Sequence, residues 1–409
     1  MTRDVYVLGG YQTDFSRNFA KENKHLLALM REAVEGALGA TGVAPGDIDV
    51  AHVGNFAAEL YAMQGHLGAF FVELDPVFTG LPTSRHEAAC ASGSIAALAA
   101  SAELEAGRYE LACVVGVEQM KTVEAARGGD FLGTAAFYER EAKGVEFPFP
   151  KLFGRLGDEY DRRYGLDDAH LAKLSAKNYA NARRNPNAQT RSWTMSEAHA
   201  LCRTSDNPAV GGRLRVSDCS QVTDGAAVVL LAAGEAARRH ARRLGVPLES
   251  LPRLRGWGHR TARLAFADKI AASAGARYVL PEVRATIEDA YRRAGIAGPE
   301  ALDVIETHDC FTTSEYMAID HFGLTPPGES WRAIEDGSLE LGGRLPVNPS
   351  GGLIGAGHPV GATGVRQLLD AWKQVSDSAG DYQVEGAKTA ATLNLGGTAT
   401  TSVSFVVGV

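Results

Sequence analysis

The sequence of residues 348–369 is NPSGGLIGAGHPVGATGVRQLL, which places six glycines and two prolines around a single histidine, His358. This many glycines let a backbone approach a ligand closely, and Pro359 fixes the chain just before a predicted helix. An imidazole there can take a proton from a nucleophile or donate a hydrogen bond to an oxyanion. A tight turn with an incidental surface histidine is the alternative. A phosphate-binding loop is disfavoured, because neither of its common glycine motifs is present.

A second segment, ACASGSIAALAASAEL at residues 89–104, places Cys90 at the start of another predicted helix. Unpaired backbone N–H groups at a helix N-terminus favour negative charge, and a nearby histidine lowers a cysteine's pKa further. We therefore predict that Cys90 forms a thiolate and acts as a nucleophile. The alternative is a small buried residue, which is what most free cysteines are.

The third segment, THDCFTTSEYMAIDHFGL at residues 307–324, begins where an apolar predicted strand ends. It presents His308, Asp309 and Cys310 just before a helical pattern. Folds of the α/β class place functional groups at such strand ends. Taken alone, the run also fits a fragment of a metal site or a capped helix start.

In this order the three segments resemble the thiolase superfamily, over nearly the whole chain. The resemblance rests on the Cys90 segment, HDCF at 308–311, GGLIGAGHPVGATG at 351–364 and NLGG at 394–397. HDCF is similar to the sterol-carrier-protein-type and archaeal-like thiolases, which are acetyl-CoA acetyltransferase-like and carry a second catalytic cysteine in this motif. The resemblance implies an α/β thiolase fold, with two duplicated βαβαβαββ halves in layered αβαβα packing and an inserted loop domain.

The same resemblance implies an acyltransferase that moves acyl groups between coenzyme A thioesters, by thiolysis of a 3-ketoacyl-CoA or the reverse Claisen condensation. Cys90 would carry the acyl group, so that the kinetics are ping-pong. His358 would be its base and an oxyanion donor, and Cys310 the second acid/base. His308 would hold a water or a thioester oxygen. Coenzyme A is then a co-substrate, and no permanently bound cofactor or metal is expected.

Two further residues come from the closing NLGG motif. The resemblance implies that the Gly396 backbone N–H, with that of Cys90, forms a second oxyanion site, and that Asn394 belongs to the same site. One position departs from the sterol-carrier type, because Leu393 stands where those thiolases have a histidine. The LNLGG ending is closer to archaeal-type thiolases, some of which work beside an OB-fold and zinc-ribbon protein.

The partners implied are acyl-CoA, coenzyme A, a second copy in a homodimer or tetramer, and such an OB-fold/zinc-ribbon protein as an option. With that protein, the alternative function is a thiolase-like C-acyltransferase or carbon–carbon lyase within a complex. A non-catalytic acyl-CoA-binding scaffold is a weaker alternative. A scaffold has no need to keep Cys90, Cys310 and His358 together.

Composition supports this class of enzyme. A chain of 409 residues with 45% hydrophobic residues can form two cores. With 41 Lys and Arg against 49 Asp and Glu, it has no basic field to attract nucleic acid or anionic lipid. MTRDVYVLGG is too brief for a signal sequence and no apolar run is membrane-length, so we expect a cytoplasmic protein. Five widely spaced cysteines without a Cys-x-x-Cys pair argue against disulfides and zinc.

Strand and helix patterns divide the chain into four parts. Residues 1–120 alternate strands and helices, which predicts a mostly parallel sheet with helices on its faces. Residues 121–216, interrupted by Gly128-Gly129 and by FPFP at 147–150, are predicted to form an inserted loop domain with short helices. The resemblance to thiolases implies that this domain covers coenzyme A and sets specificity. Residues 217–250 complete the first half, and residues 251–409 form the second. Duplicated halves would bring Cys90 and His358 to a shared pseudo-twofold axis.

Other candidates carry less weight. Cys113 lies in an apolar strand and is predicted to be core, and Cys219 is predicted to lie near the site without acting. His86, four residues before Cys90, fits a capping or surface position better than a place beside the site. The basic run RRHARR at 238–243 is predicted to be a solvated helix face.

Overall fold

Strands and helices alternate along most of the chain in the computed structural model, which describes residues 3–409. The strands are β1 (Tyr6–Gln12), β2 (Val50–Gly54), β3 (Thr83–His86), β4 (Leu111–Glu118), β5 (Ala209–Gly211), β6 (Leu214–Arg215), β7 (Gly225–Ala232), β8 (Arg253–Thr261), β9 (Val304–Glu306), β10 (Thr389–Gly396) and β11 (Thr401–Gly408). The helices are α1 (Leu26–Thr41), α2 (Ala58–Tyr61), α3 (Phe70–Leu74), α4 (Ser92–Glu105), α5 (Ala125–Gly133), α6 (Pro148–Tyr164), α7 (Asp168–Ala182), α8 (Glu197–Leu201), α9 (Gly234–Leu244), α10 (Phe266–Ala272), α11 (Pro281–Ala294), α12 (Thr312–Phe322), α13 (Ser330–Glu335), α14 (Gly352–Ala356) and α15 (Thr363–Val375). Between Arg3 and Val409, none of these helices is long and apolar enough to cross a membrane.

Nine strands form a continuous hydrogen-bonded array in the order β3-β2-β4-β7-β1-β8-β11-β10-β9. The array has little strand pairing at its centre, because β1 and β8 are paired at one residue pair in the described chain, Tyr6 with Arg253. The array therefore consists of two sheets joined edge to edge. The short strands β5 and β6 form a separate hairpin.

The prediction of a mostly parallel sheet is wrong. Within the described residues, five of the eight pairings in this array are antiparallel, and β2–β3, β2–β4 and β9–β10 are parallel. Helix crossovers produce the parallel pairs, as expected. However, β10 and β11 are joined by a tight turn at 397–400, and a hairpin makes its strands antiparallel. β7 enters from the insertion rather than through a single helix, and it pairs antiparallel with both β4 and β1.

The two sheets repeat one topology, so the predicted duplication is confirmed. The order β3-β2-β4-β7-β1 in the first half corresponds to β9-β10-β11-β8 in the second, with the same directions at each matching pair. The counterpart of β3 is reduced to one parallel bridge between Ile305 and Val347. Helix α4 of the first half has its counterpart in α15 of the second. Cys90 and His358 therefore precede equivalent helices.

The helices and sheets are stacked in five layers. Successive side chains along a strand point alternately to the layers on its two sides. In β4, Ala112 and Val114 face a central core that also contains α4 and α15, whereas Cys113 and Val115 face an outer core with α1. The second sheet packs its outer side against α11 and α12. A strand with both faces buried needs apolar residues at every position, as β4 shows. The predicted αβαβα packing of a thiolase fold is confirmed.

The insertion contains two long helices, α6 with 17 residues and α7 with 15. The sequence pattern predicts α7, as AHLAKLSAKNYANARR at residues 169–184, but not α6. Pro148 and Pro150 do not interrupt this region, because they lie in the first turn of α6, where a proline's missing N–H is no loss. Both helices pack against α12, which follows HDCF. The insertion therefore lies against the segment that carries Cys310.

Candidate active site

Cys90 lies on a sharp turn between β3 and α4. Ala89 before it has φ +52°, a left-handed conformation that costs a non-glycine residue energy and persists where its surroundings enforce it. The Ala89 N–H donates to Glu87 Oε1 at 2.6 Å, and its carbonyl accepts from Ser92 Oγ at 2.6 Å. These bonds hold the half-buried Cys90 sulfur at the floor of a cavity.

His358 lies in the loop between α14 and α15, and its hydrogen bonds fix its tautomer. The Thr363 hydroxyl lies 3.1 Å from the Pro359 carbonyl oxygen and 2.6 Å from His358 Nδ1. We assign its one proton to the carbonyl, which can only accept, so that the hydroxyl accepts from Nδ1. The imidazole proton is therefore on Nδ1, which leaves the lone pair on Nε2. That atom is buried and has no hydrogen-bond partner within residues 3–409. Burial, with Arg366 nearby, lowers the pKa of His358 to about 3, so the ring is neutral and can accept a proton.

His308 has the opposite tautomer. Its Nδ1 accepts from Asn394 Nδ2 at 3.1 Å, and the orientation of that amide is set by Ser94 Oγ, which donates to Asn394 Oδ1 at 2.9 Å. The ring proton is therefore on Nε2, which is buried and unpartnered in the described part of the chain. Burial and the neighbouring His358 lower the pKa of His308 well below its usual value. One imidazole thus offers a proton acceptor and the other a donor.

The structure brings Cys90, His308 and His358 together, from sites far apart in the sequence. One donor atom from each lies within 4.8 Å of the other two, and the two imidazole rings are 5.3 Å apart and nearly perpendicular. A thiol and two imidazoles are also ligands that zinc accepts, so these residues could hold such an ion. Their free Nε2 atoms equally suit proton transfer and hydrogen bonding to a substrate oxygen.

Cys310 lies where β9 ends and lines the same cavity as Cys90. Burial raises the pKa of its thiol well above the usual value, and the nearby Cys90 raises it further. Its carbonyl accepts from the Ser220 N–H at 2.9 Å, and this bond brings the segment after the insertion to the site. Cys219 lines the cavity too, but its S–H donates to the Arg215 carbonyl at 3.2 Å.

The prediction of a resting thiolate at Cys90 is wrong. Burial, with a smaller contribution from the carboxylates of Glu118 and Glu87, raises the pKa of the Cys90 thiol to about 12. The backbone N–H groups of Gly397 and Cys90 favour the thiolate but are outweighed. The resting pair is therefore a neutral thiol beside a neutral His358.

This neutral pair has a measurable consequence. The rate of Cys90 alkylation by iodoacetamide is expected to rise with pH throughout the range from about 6 to 9, because only the thiolate reacts. Peptide mass spectrometry would follow Cys90 alone, and Cys202, which is exposed, provides an internal reference thiol. A rate at Cys90 that is constant over this range would contradict a neutral resting thiol.

Gly396 ends β10 beside the Cys90 turn, and Gly397 begins the turn that follows. A side chain at Gly396 would collide with the Ala88 carbonyl oxygen, so glycine is required for this close approach. The backbone N–H next to the Cys90 sulfur belongs to Gly397, which the sequence analysis did not single out. Leu393 is buried in the same apolar cluster as Cys310.

Two buried carboxyl groups, to which the sequence motifs assign no role, hold the loops of the site. Glu118 accepts from the backbone N–H groups of Phe56, Ala57 and Gly361 at 2.9, 3.2 and 3.0 Å, so it ties the His358 loop to the chain after β2. Burial raises its pKa to about 7. The only signal in the sequence was a charged residue at the end of an apolar strand.

Asp309, inside the HDCF motif, holds the glycine-rich segment. It accepts from the backbone N–H groups of Leu353 and Ile354 at 2.6 and 3.2 Å, at the start of α14, and from Asn178 Nδ2 at 2.9 Å. Burial, with Glu315 nearby, raises the pKa of Asp309 to about 8. Because Asn178 is on α7, this carboxyl also links the insertion to both catalytic motifs.

The remaining candidates lie elsewhere. His86 is at the edge of the sheet, where its Nε2 is 2.9 Å from both His52 Nδ1 and Ser84 Oγ, so it does not face the cavity. Cys113 is fully buried, as predicted. The arginines of residues 238–243 lie on α9, where Arg238 and Arg242 are more than half exposed.

The cavity above Cys90 has a volume of about 180 Å³. The insertion contributes much of its wall. The lining residues are Phe56, Cys90, Met120, Gly129, Leu132, Ala135, Phe147, Pro148, Phe149, Pro150, Phe153, Cys219, Ser220, Gln221, Val222, Cys310, Phe311, His358, Val360 and Gly397.

The tautomer of His358 can be tested through Thr363. In a Thr363→Val variant the ring loses the acceptor that holds its Nδ1 proton, so we expect kcat for acyl transfer to fall about tenfold to a hundredfold. Steady-state kinetics measures this change, and Thr400→Val, a threonine that bonds Lys269 away from the cavity, is the control. Equal kcat in Thr363→Val and wild type would show that this bond does not set the tautomer.

Comparison with known proteins agrees with the geometry. Residues 5–194 match the model "Thiolase, N-terminal domain", and residues 267–409 match "Thiolase C-terminal domain-like". The chain belongs to the thiolase family, and it is an acyltransferase that moves acyl groups between coenzyme A thioesters.

Individual relatives refine this placement. The chain is 32% identical to an acetyl-CoA acetyltransferase of Methanothermobacter thermautotrophicus, over 99% of both chains. It is 29% identical to human sterol carrier protein 2, over 96% of this chain and 70% of that protein.

Among solved structures, the Ltp2-ChsH2(DUF35) aldolase superposes with a TM-score of 0.78 at 19% identity, over 99% and 97% of the two chains. Human mitochondrial 3-ketoacyl-CoA thiolase in complex with CoA superposes with a TM-score of 0.69 at 17% identity, over 99% and 98%. At these identities the superpositions describe the fold.

Proposed function

We propose that this thiolase cleaves a 3-ketoacyl-CoA with coenzyme A, and runs the reverse condensation, through an acyl group carried on Cys90. The observation that supports this most is the meeting of Cys90, His308 and His358, with complementary tautomers, beside Cys310. A carbon–carbon cleavage of this kind needs a nucleophile with a base, an acid for the leaving carbanion, and donors for developing oxyanions. These side chains supply each of those groups.

In the first step, the Cys90 sulfur attacks the 3-keto carbonyl while its proton moves to His358 Nε2. The oxyanion receives hydrogen bonds from the backbone N–H of Cys90 and from a glycine N–H at 396–397. The bond between C2 and C3 then breaks. Its electron pair forms an enolate whose oxygen accepts from His308 Nε2–H, and C2 takes the proton of Cys310.

In the second step, the Cys310 thiolate takes the proton of the coenzyme A thiol, and the coenzyme A sulfur attacks the acyl group on Cys90. The Cys90–acyl bond breaks, and the departing sulfur recovers the proton held on His358. The two thiols and the imidazole thus return to their starting states. Condensation follows the same steps in reverse. The names of the archaeal relatives support acetyl-CoA as the shorter thioester.

Steady-state thiolysis of acetoacetyl-CoA tests this proposal. We expect parallel double-reciprocal plots when coenzyme A and acetoacetyl-CoA are varied, because the first product leaves before the second substrate reacts. Cys90→Ser should lose at least about a thousandfold in kcat, while Cys202→Ser, at an exposed position, should match wild type. Intersecting plots, or normal turnover by Cys90→Ser, would refute the covalent route.

We also propose that the chain forms a homodimer or tetramer. The partly exposed edge strand β3 ends the first sheet. Met63, 88% exposed, follows α2, which an ion pair between Glu59 and Arg85 ties to β3, and Val77, 50% exposed, lies in the segment before β3. Unpaired strand edges with apolar neighbours favour pairing with another chain. Light scattering after gel filtration should give at least twice the chain mass of 43.3 kDa. A mass of one chain at working concentrations would contradict this.

An OB-fold/zinc-ribbon partner remains a separate proposal. Its support is the similarity in fold to the Ltp2-ChsH2(DUF35) aldolase, whose name joins two proteins. Affinity purification of the chain from its native cells, followed by zinc analysis of co-purified proteins, tests it. Full thiolase activity of the purified chain alone would show that no partner is required.

A further inference from the structure

The FPFP run at 147–150 is the most distinctive part of the cavity wall. Phe147 precedes α6 with φ +49°, a left-handed conformation for a bulky residue. Its ring lies against α5 at Gly129, where an added Cβ would be 2.9 Å from the Phe147 ring. The glycine and the phenylalanine therefore fit one another. A strained residue that is held in this way at a cavity is a candidate for function.

The aromatic wall continues from this run to the reacting residues. Phe149 and Phe153 are one turn apart on α6, with ring centroids separated by 6.3 Å. Phe153 stacks on Phe311 at 4.6 Å, and Phe311 directly follows Cys310. A row of rings thus extends from the insertion to the second cysteine.

The rest of the lining determines which group can lie against these rings. Across residues 3–409, no Lys, Arg, Asp or Glu lines the cavity. An acyl chain with a terminal charge would therefore lose its hydration here without gaining an ionic partner. The volume of about 180 Å³ is more than ten times what a single water needs, so the cavity has room for more than an acetyl group.

We propose that the longer acyl group handled by this enzyme is an uncharged hydrocarbon chain that packs on the aromatic wall, with Phe147 and Phe149 as specificity-determining residues. This inference rests on the proposed thiolase function and names the substrate class of the same cavity. Each added methylene that reaches the wall should tighten binding about fourfold, which corresponds to about 0.8 kcal/mol.

Binding to the Cys90→Ser protein tests the inference without turnover. Isothermal titration calorimetry would compare acetyl-, hexanoyl- and octanoyl-CoA, and also adipoyl-CoA, which has the length of hexanoyl-CoA and a terminal carboxylate. We expect Kd to fall more than about tenfold from acetyl- to octanoyl-CoA, and adipoyl-CoA to bind at least about a hundredfold more weakly than hexanoyl-CoA. Equal affinity for acetyl- and octanoyl-CoA, or for the two six-carbon ligands, would overturn the proposal.

Variants then test the wall itself. In the same background, Phe149→Ala should reduce the octanoyl-over-acetyl preference about tenfold, and Phe147→Ala provides a second, more exposed position in case the first fails to fold. Phe137→Ala is the matched control, because that phenylalanine lies in the insertion, packs on Arg140 and does not line the cavity. An unchanged preference in both wall variants would contradict their role.

Kinetics separates this inference from the proposed function. Wild type should thiolyse 3-ketohexanoyl- and 3-ketooctanoyl-CoA with higher kcat/KM than acetoacetyl-CoA, and 3-ketoadipoyl-CoA with much lower kcat/KM. Turnover of acetoacetyl-CoA alone would refute the substrate class and leave the thiolase chemistry standing. Strong binding of octanoyl-CoA with no thiolysis of any substrate would refute the proposed reaction but not the hydrocarbon site.

Discussion

Replacing His358 with asparagine is expected to lower kcat for thiolysis about a thousandfold, because the variant has no base to take the Cys90 proton. Positioned general bases contribute about a hundredfold to ten-thousandfold to rates. The loss should be large here, since burial raises the pKa of the Cys90 thiol to about 12 and the free thiolate is scarce at neutral pH. Single-turnover measurement of Cys90 acylation would locate the loss in the first step.

His86→Asn is the matched control for this experiment. His86 is another imidazole, partly buried, and burial lowers its pKa to about 4, but its bonds are to His52 and Ser84. Its kcat should be close to wild type. Circular dichroism would check that both variants fold. Normal acylation in His358→Asn would mean that another group removes the proton.

Replacing Cys310 with alanine should separate the two halves of the reaction. In the transfer of acetyl from acetyl-CoA to Cys90, Cys310 serves only to protonate the departing coenzyme A sulfur, and a thiolate of ordinary basicity can leave without that proton. Acylation should therefore persist at a reduced rate, whereas thiolysis and condensation, which need a proton transfer at the α-carbon, should fall about a thousandfold. Exchange of the acetyl-CoA methyl protons with D₂O, followed by NMR, reports on that proton directly. The exchange should disappear in Cys310→Ala.

Cys202→Ala, which removes an exposed thiol, should keep the exchange and serves as the control. If Cys310→Ala exchanges protons at the wild-type rate, the α-carbon acid/base is a different residue. If it also fails to acylate Cys90, the change has damaged the cavity rather than removed a proton donor. Acylation of Cys90 that persists in Cys310→Ala would therefore show that the cavity is intact.

Much of the fold was accessible from the sequence, because strongly periodic apolar segments produce the central elements. The strand around Cys113 and the helix after His358 appear where the patterns predict them. β8 was missed because it is only partly buried and its sequence, RLRGWGHRT, alternates apolar and polar residues poorly. Strand direction was partly wrong, since it depends on which connections are hairpins rather than on local pattern.

The sequence identified the main residues of the site, but it did not predict their protonation states. Motifs identified Cys90, His308 and His358, and duplication predicted that the first and last would meet. The protonation state of Cys90 depends on how deeply the folded chain removes it from water, which a helix-start pattern does not show. The carboxyl of Glu118 and the N–H of Gly397 reach the site through backbone geometry. For Glu118 the sequence shows only a charged residue at the end of an apolar strand, and for Gly397 no local signal indicates the contact.

The central claim is that Cys90 carries the acyl group, and intact-protein mass spectrometry tests it most directly. Wild type incubated with acetoacetyl-CoA without coenzyme A should gain the mass of one acetyl group, and peptide mapping should place it on Cys90. Cys90→Ser should remain unmodified under the same conditions. An adduct on Cys310 or Cys219 instead, or turnover of acetoacetyl-CoA with no adduct that forms and decays fast enough to account for it, would contradict the account.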